Sequence, residues 1–287
     1  MNIQKSTILG FCAGVKNAVD IAEGLRKKHP DRNIYTLGYL LHNAPEVDRL
    51  TQLGIVPVNI KSHDFEKGDI AIISAHGISP SETERLTSVG VEVVNATCET
   101  VKRVQRAVEM MRERGMYIII VGSPVHAEVL GHIGYAGDNF VVVDPYNMPK
   151  ILPKTERLVG IISQTTITKE AFNKVLVFAN EQYDMVEEHA TICGATYARQ
   201  EAGKNVAKQA DITLVIGGKK SANTRALAKE CEKVCKKVYC IENEDDLAYI
   251  ACDIDENANI AIVSGASTPI WLIDFFSSVL SVNRLSF

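Results

Sequence analysis

The sequence predicts an α/β protein built from three copies of one unit. Three observations carry this. Apolar β-rich runs such as Tyr117-Ile-Ile-Ile-Val and Ile212-Thr-Leu-Val-Ile alternate with helical patterns along the chain, as parallel sheets with crossover helices require. Cys12, Cys98 and Cys193 stand 86 and 95 residues apart, and the same succession of elements follows each. The 287 residues are 46% hydrophobic and 23% charged, enough apolar content for more than one core, which excludes a disordered or fibrous chain.

The elements follow in order. The opening segment, 3–9, reads as a strand. Each cysteine leads into a helix, at 14–23, 101–110 and 197–206. A strand ending in Gly comes next, at 34–38, 117–122 and 212–217. Polar turns at 41–46, 124–128 and 219–224 then open another helix. A short strand follows at 56–58, 140–143 and 238–241. The next strand ends in a second polar turn, at 72–77, 161–166 and 262–267. Helices at 81–88, 169–180 and 269–282 close each copy. The first two copies run on through 91–94 and 185–188 to the next cysteine. The third has no such strand, and the opening segment can fill that place. The expected lobes are therefore 14–98, 99–193 and 194–287, the last completed by 1–13. Three such lobes about a pseudo-threefold axis form a trefoil. In open parallel sheets, ligands collect at the carboxyl ends of strands. The polar motifs and cysteines all fall on strand-to-helix turns, so they are expected to converge on one central site.

Other classes are excluded. With 31 basic and 35 acidic residues the net charge is −4, so no basic footprint for nucleic acid exists. No apolar run approaches the roughly 18–20 residues that span a bilayer. The opening Met-Asn-Ile-Gln-Lys-Ser-Thr lacks a charged region followed by a long apolar one, as a signal peptide needs. The chain is expected in the cytoplasm, away from membranes, with reduced cysteines. Seven cysteines are an odd count for a paired framework, and no Cys-x-x-Cys occurs. Cys231 and Cys235 lie four apart on an apparent helix with no His nearby, Cys240 in a strand and Cys252 near a helix end. All four read as packing or boundary residues. Three thiolates on one axis suit two chemistries. Zinc would need a fourth ligand or water. An iron–sulfur cubane would keep one iron without a protein ligand.

The turns favour a small anionic substrate. His42, His76 and His126 lie in turns of the first two copies. Ser221, Asn223 and Ser267 occupy the matching turns of the third, and Thr165 and Thr166 the remaining one. Histidine, hydroxyl and amide donors at helix starts suit phosphate oxygens. Lys219 and Lys220 add positive charge. His29, His63, His132 and His189 lack such placement and are expected at the surface. Glu128 follows His126 by two residues. It is a candidate general acid, or a carboxylate that complements a helix start.

At Gly10-Phe-Cys-Ala-Gly-Val, Leu41-His-Asn, Ser74-Ala-His-Gly, Ala96-Thr-Cys, His126-Ala-Glu-Val, Gln164-Thr-Thr, Ile192-Cys with Arg199-Gln200, Ser221-Ala-Asn-Thr and Gly265-Ala-Ser-Thr-Pro, the sequence resembles the LytB-type 4-hydroxy-3-methylbut-2-enyl diphosphate reductases. The resemblance covers nearly the whole chain. It implies a trefoil and a 4Fe–4S cluster held by Cys12, Cys98 and Cys193, with one iron lacking a protein ligand. It implies that this iron takes the substrate hydroxyl. Two electrons and protons then remove the hydroxyl as water, leaving isopentenyl and dimethylallyl diphosphates. By the same match, His42, His76, His126, Ser221, Asn223 and Ser267 would bind the diphosphate, and Glu128, Thr165 and His126 would be catalytic. Reduced ferredoxin or flavodoxin would supply electrons. The chain departs from the family pattern at Glu99, Ala127, Gly194, Ala222 and Ile270, around the expected cavity. Two other readings stay open: a LytB-like paralogue reducing a different small molecule, and a cluster-bearing redox sensor or electron carrier.

Overall fold

A computed structural model of the protein describes residues 1–189 and 191–281. Strand β1 (Asn2–Lys5) leads through the Cys12 turn into α1 (Ala13–Lys28). Then come β2 (Ile34–Leu37), α2 (Ala44–Gln52), β3 (Ile55–Val58), β4 (Ile70–Ile73), α3 (Pro80–Ser88) and β5 (Glu92–Asn95). The second set is α4 (Glu99–Glu113), β6 (Tyr117–Val121), α5 (Ala127–Ala136), β7 (Phe140–Val143), β8 (Val159–Ser163), α6 (Lys169–Asn180) and β9 (Val186–Glu188). The third is α7 (Gly194–Ala207), β10 (Ile212–Ile216), α8 (Ala222–Glu232), β11 (Lys237–Ile241), α9 (Glu244–Ile250), β12 (Asn259–Ser264) and α10 (Ile270–Ser281). The expected last residue of that final helix, Val282, lies outside the described residues. The opening strand stops at Lys5 rather than Leu9. Ser6 N–H still bonds the Ile262 carbonyl at 2.8 Å, but the Ser6 hydroxyl then accepts the Ile8 N–H at 3.4 Å and turns the chain.

The strands form three four-stranded sheets, ordered β3-β2-β4-β5, β7-β6-β8-β9 and β11-β10-β12-β1. Every neighbouring pair is parallel. The same order thus recurs three times. β1 takes the edge position in the third sheet, with Asn2 opposite Asn259 and Lys5 opposite Ile262. The central strands β4, β6, β8, β10 and β12 are almost wholly buried. That explains their unbroken apolar runs, because a parallel sheet is covered on both faces.

Contacts divide the chain into two units. The first comprises Met1–Lys16, Leu41–Leu53 and the described residues from Gly194 on; the second comprises Asn17–Leu40 and Gly54–Cys193. In the first unit, Leu247, Leu272, Ile273, Phe276 and Leu280 pack with Ile212, Leu214, Ile216, Ile260 and Ile262 into one core. Leu227, Ala228, Cys231 and Cys235 pack with Val215 and Val263 into another. Burying each such side chain contributes about 1.5–3 kcal/mol. Cys231 and Cys235 are therefore packing residues, and burial pushes the Cys231 thiol up to about 12.

In the second unit, Phe172 and Val175 from α6 pack with Ile119, Val121 and Ile161. Val104, Val108 and Met111 from α4 and Val129 from α5 pack with Ile118, Ile120 and Ile162. Two glycines let α5 lie close on the 76–80 turn. A Cβ at Gly134 would stand 2.2 Å from Ser79 Cβ, and one at Gly131 would touch the Gly77 and His76 backbone at 3.6 Å. Among the described residues, no helix is long and apolar enough to cross a membrane.

Candidate functional site

The three cysteines share one local setting. Each stands immediately before a helix, α1, α4 or α7, and is half-buried. Each backbone N–H donates to a carbonyl in the turn after a buried strand: Cys12 to Ala266 at 2.9 Å, Cys98 to Ala75 at 3.1 Å, Cys193 to Thr165 at 2.9 Å. None of the seven cysteines forms a disulfide. Cys12 belongs to the first unit, Cys98 and Cys193 to the second. Among the described residues of either unit, no three His, Cys, Asp or Glu side chains stand close enough to hold a metal ion.

The second unit gathers His76, His126, Glu128 and Thr165. The His76 and His126 rings meet edge to face, their centroids 5.7 Å apart. His76 Nδ1 lies 3.3 Å from the Ser74 hydroxyl. His126 is the N-cap of α5, and its Nδ1 accepts the Glu128 N–H at 3.3 Å. That bond assigns the neutral ring's hydrogen to Nε2, a donor. Glu128 is almost fully buried. Its Oε1 accepts the Thr165 N–H at 2.6 Å, and its Oε2 accepts the Thr165 hydroxyl at 3.0 Å. Burial alone would raise the Glu128 pKa. The His132 hydrogen bond, the His132 and His126 rings and the Thr165 N–H outweigh it and hold the carboxyl below its ordinary range. Glu128 thus rests as a carboxylate.

His132 corrects one expectation. It is not at the surface but has no exposed area, and its Nε2 lies 3.2 Å from Glu128 Oε1. The sequence did hold a signal, since residues four apart on a helix share a face. His63 likewise packs against Tyr35 and Phe65, with ring centroids 4.3 and 4.6 Å away.

The first unit gathers His42, Ser221, Asn223 and Ser267. The Ser267 hydroxyl donates to the His42 carbonyl at 3.1 Å. Ser221 caps α8 and accepts the Thr224 N–H at 3.3 Å. Asn223 Oδ1 is buried with no protein partner among the described residues. Gly218 lets the 217–221 turn approach the 42–43 backbone, since a Cβ there would stand 2.0 Å from the His42 oxygen. Lys219 is committed to an ion pair with Asp246.

Arg199, quoted above only as part of a motif, is a second buried group without an assigned role. It is 3% exposed. Its Nη1 donates to the Ser264 carbonyl at 2.8 Å and the Ser264 hydroxyl at 3.2 Å, and Nη2 to the Gly10 carbonyl at 2.8 Å. Among the described residues, no carboxylate pairs with it. Burial lowers its pKa, and nearby Cys12 acts in the opposite sense.

The departures are mostly benign. Glu99 is exposed and pairs with Arg106 at 2.6 Å. A Cβ at Gly194 would meet nothing within 4 Å. Ile270 is 53% exposed, and its Cδ1 covers Gly10. Ala127 lines a cavity of about 500 Å³ with Leu37, Tyr39, Pro57, Ser74 and Leu130.

A family model described as LytB protein matches residues 3–281. A relative from Clostridium perfringens (strain 13 / Type A), named 4-hydroxy-3-methylbut-2-enyl diphosphate reductase, is 39% identical over 266 residues, covering 92% of this chain and 93% of its own. One of the same name from Aquifex aeolicus (strain VF5) is 38% identical over 269 residues, covering 92% and 91%. A solved structure of (E)-4-hydroxy-3-methyl-but-2-enyl diphosphate reductase, described as the terminal enzyme of the non-mevalonate pathway, matches with a TM-score of 0.71 and 34% identity, over 98% of this chain and 99% of its own. The E-1-hydroxy-2-methyl-but-2-enyl-4-diphosphate reductase of Plasmodium falciparum matches with a TM-score of 0.88 and 25% identity, over 100% of this chain and 90% of its own. With the cysteine turns and the buried Glu128 in place, the chain belongs to the LytB family.

Proposed function

We propose that this chain is an oxidoreductase that removes the hydroxyl of 4-hydroxy-3-methylbut-2-enyl diphosphate, giving isopentenyl and dimethylallyl diphosphates. One observation carries the reading. Glu128 meets the Thr165 hydroxyl at 3.0 Å, and the Thr165 carbonyl accepts the Cys193 N–H at 2.9 Å. A proton carrier is thereby tied to a cysteine turn. Likeness over more than nine-tenths of relatives bearing the reductase name supports it.

Cys12, Cys98 and Cys193 would hold a 4Fe–4S cluster with one iron lacking a protein ligand. The donor set fits, because three thiolates suit iron–sulfur ligation. So does Arg199, a buried cation near Cys12 with no carboxylate partner among the described residues, where an anionic group would sit favourably. When bound, the cluster supplies electrons and a Lewis-acidic iron. The chain's own side chains do the rest. His42, His76, His126, Ser221, Asn223 and Ser267 hold the diphosphate with donors at strand-to-helix turns. Glu128 takes up a proton and passes it through the Thr165 hydroxyl to the departing oxygen. The lobes remain 14–98, 99–193 and 194–287, the last completed by 1–13, as the three copies of one repeated unit. Reduced ferredoxin or flavodoxin delivers electrons in the cytoplasm.

Anaerobic reconstitution followed by turnover tests this. The loaded protein should oxidise two equivalents of a one-electron reduced dye per butenyl diphosphate. A cluster-bearing protein that neither binds nor reduces that substrate would end the reading.

A further inference from the structure

Glu128 does not hold its geometry alone. His132 lies one helical turn further along α5, with no exposed surface. Its Nε2 is 3.2 Å from Glu128 Oε1, while its Nδ1 is buried with no partner among the described residues. The hydrogen they share has two arrangements. In one, His132 carries it on Nε2 and donates to an ionised Glu128, and Nδ1 is a bare lone pair. In the other, Glu128 carries it and donates to Nε2, and Nδ1–H becomes a buried donor without an acceptor. Orphaned N–H groups are rarer in folded proteins than under-used acceptors. Oε1 also accepts the Thr165 N–H at 2.6 Å, the short bond of a charge-assisted pair. Both facts favour the first arrangement.

We propose that His132 is a positioning residue for Glu128: as the Nε2–H tautomer it pins Oε1, so that Oε2 stays on the Thr165 hydroxyl. The terminal torsion of a Glu side chain is soft and roughly two-fold. The Thr165 N–H alone cannot choose between the two oxygens, whereas two donors on Oε1 can. The effect on turnover rests on the reductase reading; the pairing itself does not.

The first test needs no turnover. In the anaerobically purified full-length chain, long-range 1H–15N spectra of the imidazoles report each tautomer. His132 should carry its hydrogen on Nε2, and its signals should shift in Glu128→Ala. An Nδ1–H tautomer, or signals indifferent to Glu128→Ala, overturns the proposal. The second test uses turnover. His132→Leu removes the donor and should lower kcat roughly 10- to 150-fold, the value of one hydrogen bond to a charged group. KM should stay within about twofold, because the diphosphate contacts lie elsewhere, and the cluster absorption should be unchanged. His132→Gln puts an amide N–H where Nε2 was and should restore most of the rate. Glu128→Gln combined with His132→Leu should be no slower than Glu128→Gln alone, as residues acting through one group are non-additive. Losses that multiply, or no rescue by Gln, would refute the positioning role. If the parent protein does not reduce the butenyl diphosphate, the reductase reading fails by itself, and the imidazole spectra still decide the pairing.

Discussion

Gly218→Ala should damage the proposed anion site from behind. The added Cβ would lie 2.0 Å from the His42 carbonyl oxygen, 2.7 Å from its carbon and 3.2 Å from Asn43 Cα. An ordinary carbon–oxygen contact is about 3.3–3.6 Å, so the two backbone segments must separate by more than about 1 Å. All three clashing atoms are backbone, and no side chain can swing away. Overpacking of this kind costs about 1–3 kcal/mol. The Ser267 hydroxyl bond to the His42 carbonyl, now 3.1 Å, stretches beyond use and forfeits about 0.5–1.5 kcal/mol. The total, roughly 2–4 kcal/mol, corresponds to a melting point lowered by about 5–15 °C at 2–4 °C per kcal/mol. On the proposed role of His42 in holding the diphosphate, its displacement should lower affinity for inorganic diphosphate roughly 10- to 150-fold. Calorimetry of melting and of diphosphate binding would measure both. Gly24→Ala is the control. A Cβ there meets nothing within 4 Å, and mid-helix Gly→Ala should stabilise by about 0.5–1 kcal/mol. A Gly218→Ala protein that melts within a degree of the parent and binds diphosphate equally would refute the reasoning.

Four further outcomes are expected. Glu128→Gln keeps shape and acceptor but not the transferable proton, so turnover should drop about 10²- to 10⁴-fold while substrate binding persists; an equally active variant would reduce Glu128 to a helix-start residue. Cys12→Ser, Cys98→Ser or Cys193→Ser should each lose the iron–sulfur spectrum, and Cys231→Ala should keep it, as anaerobic iron analysis will tell. Ala222→Ser adds a hydroxyl beside the Ser221 cap and should tighten diphosphate binding, up to the roughly 10-fold lower limit of one charge-assisted bond; unchanged calorimetric affinity would place residue 222 outside the site. Because the folded-state pKa of Glu128 lies below its ordinary value, its contribution to stability is complete above the usual carboxylate range and disappears as pH falls through the folded value. Melting curves taken down the acid limb should therefore flatten in Glu128→Gln.

Much of this was legible before any coordinates. The strands announced themselves because β4, β6, β8, β10 and β12 are covered on both faces and are therefore apolar at most positions. Caps fix helix starts that the repeat pattern gives only approximately: Ser79 and Glu82 form a capping box, so α3 begins at Pro80 rather than Ser81, and Thr168 accepts the N–H of the third residue of its helix. His126 is expected as an anion donor and a catalytic group, and Ser221 as an anion donor, yet both also cap a helix, a dual use that residue type alone does not reveal. α9 was missed even though Asn243 and Asp246 form a capping box, because seven residues are too short for a clear period. His132 and Arg199 were missed for another reason. Each is a polar side chain whose burial depends on elements distant in sequence: Arg199 bonds Gly10 from 189 residues away. Helical spacing could pair His132 with Glu128, but only the packed α5 shows that both face inward.

The placement of β1 constrains how the protein is made. Its partner, β12, begins at Asn259, more than 250 residues further along the chain. At about 5–20 residues per second on the ribosome, Asn2 waits roughly 10–50 s for that partner to be synthesised. The second unit, which needs nothing beyond Cys193, has all its residues long before. Vectorial synthesis therefore favours one unit folding early and the other last. The waiting segment suits this delay: β1 is only four residues long and mostly exposed even when paired. A short polar edge of that kind is a poor template for pairing with neighbouring nascent chains.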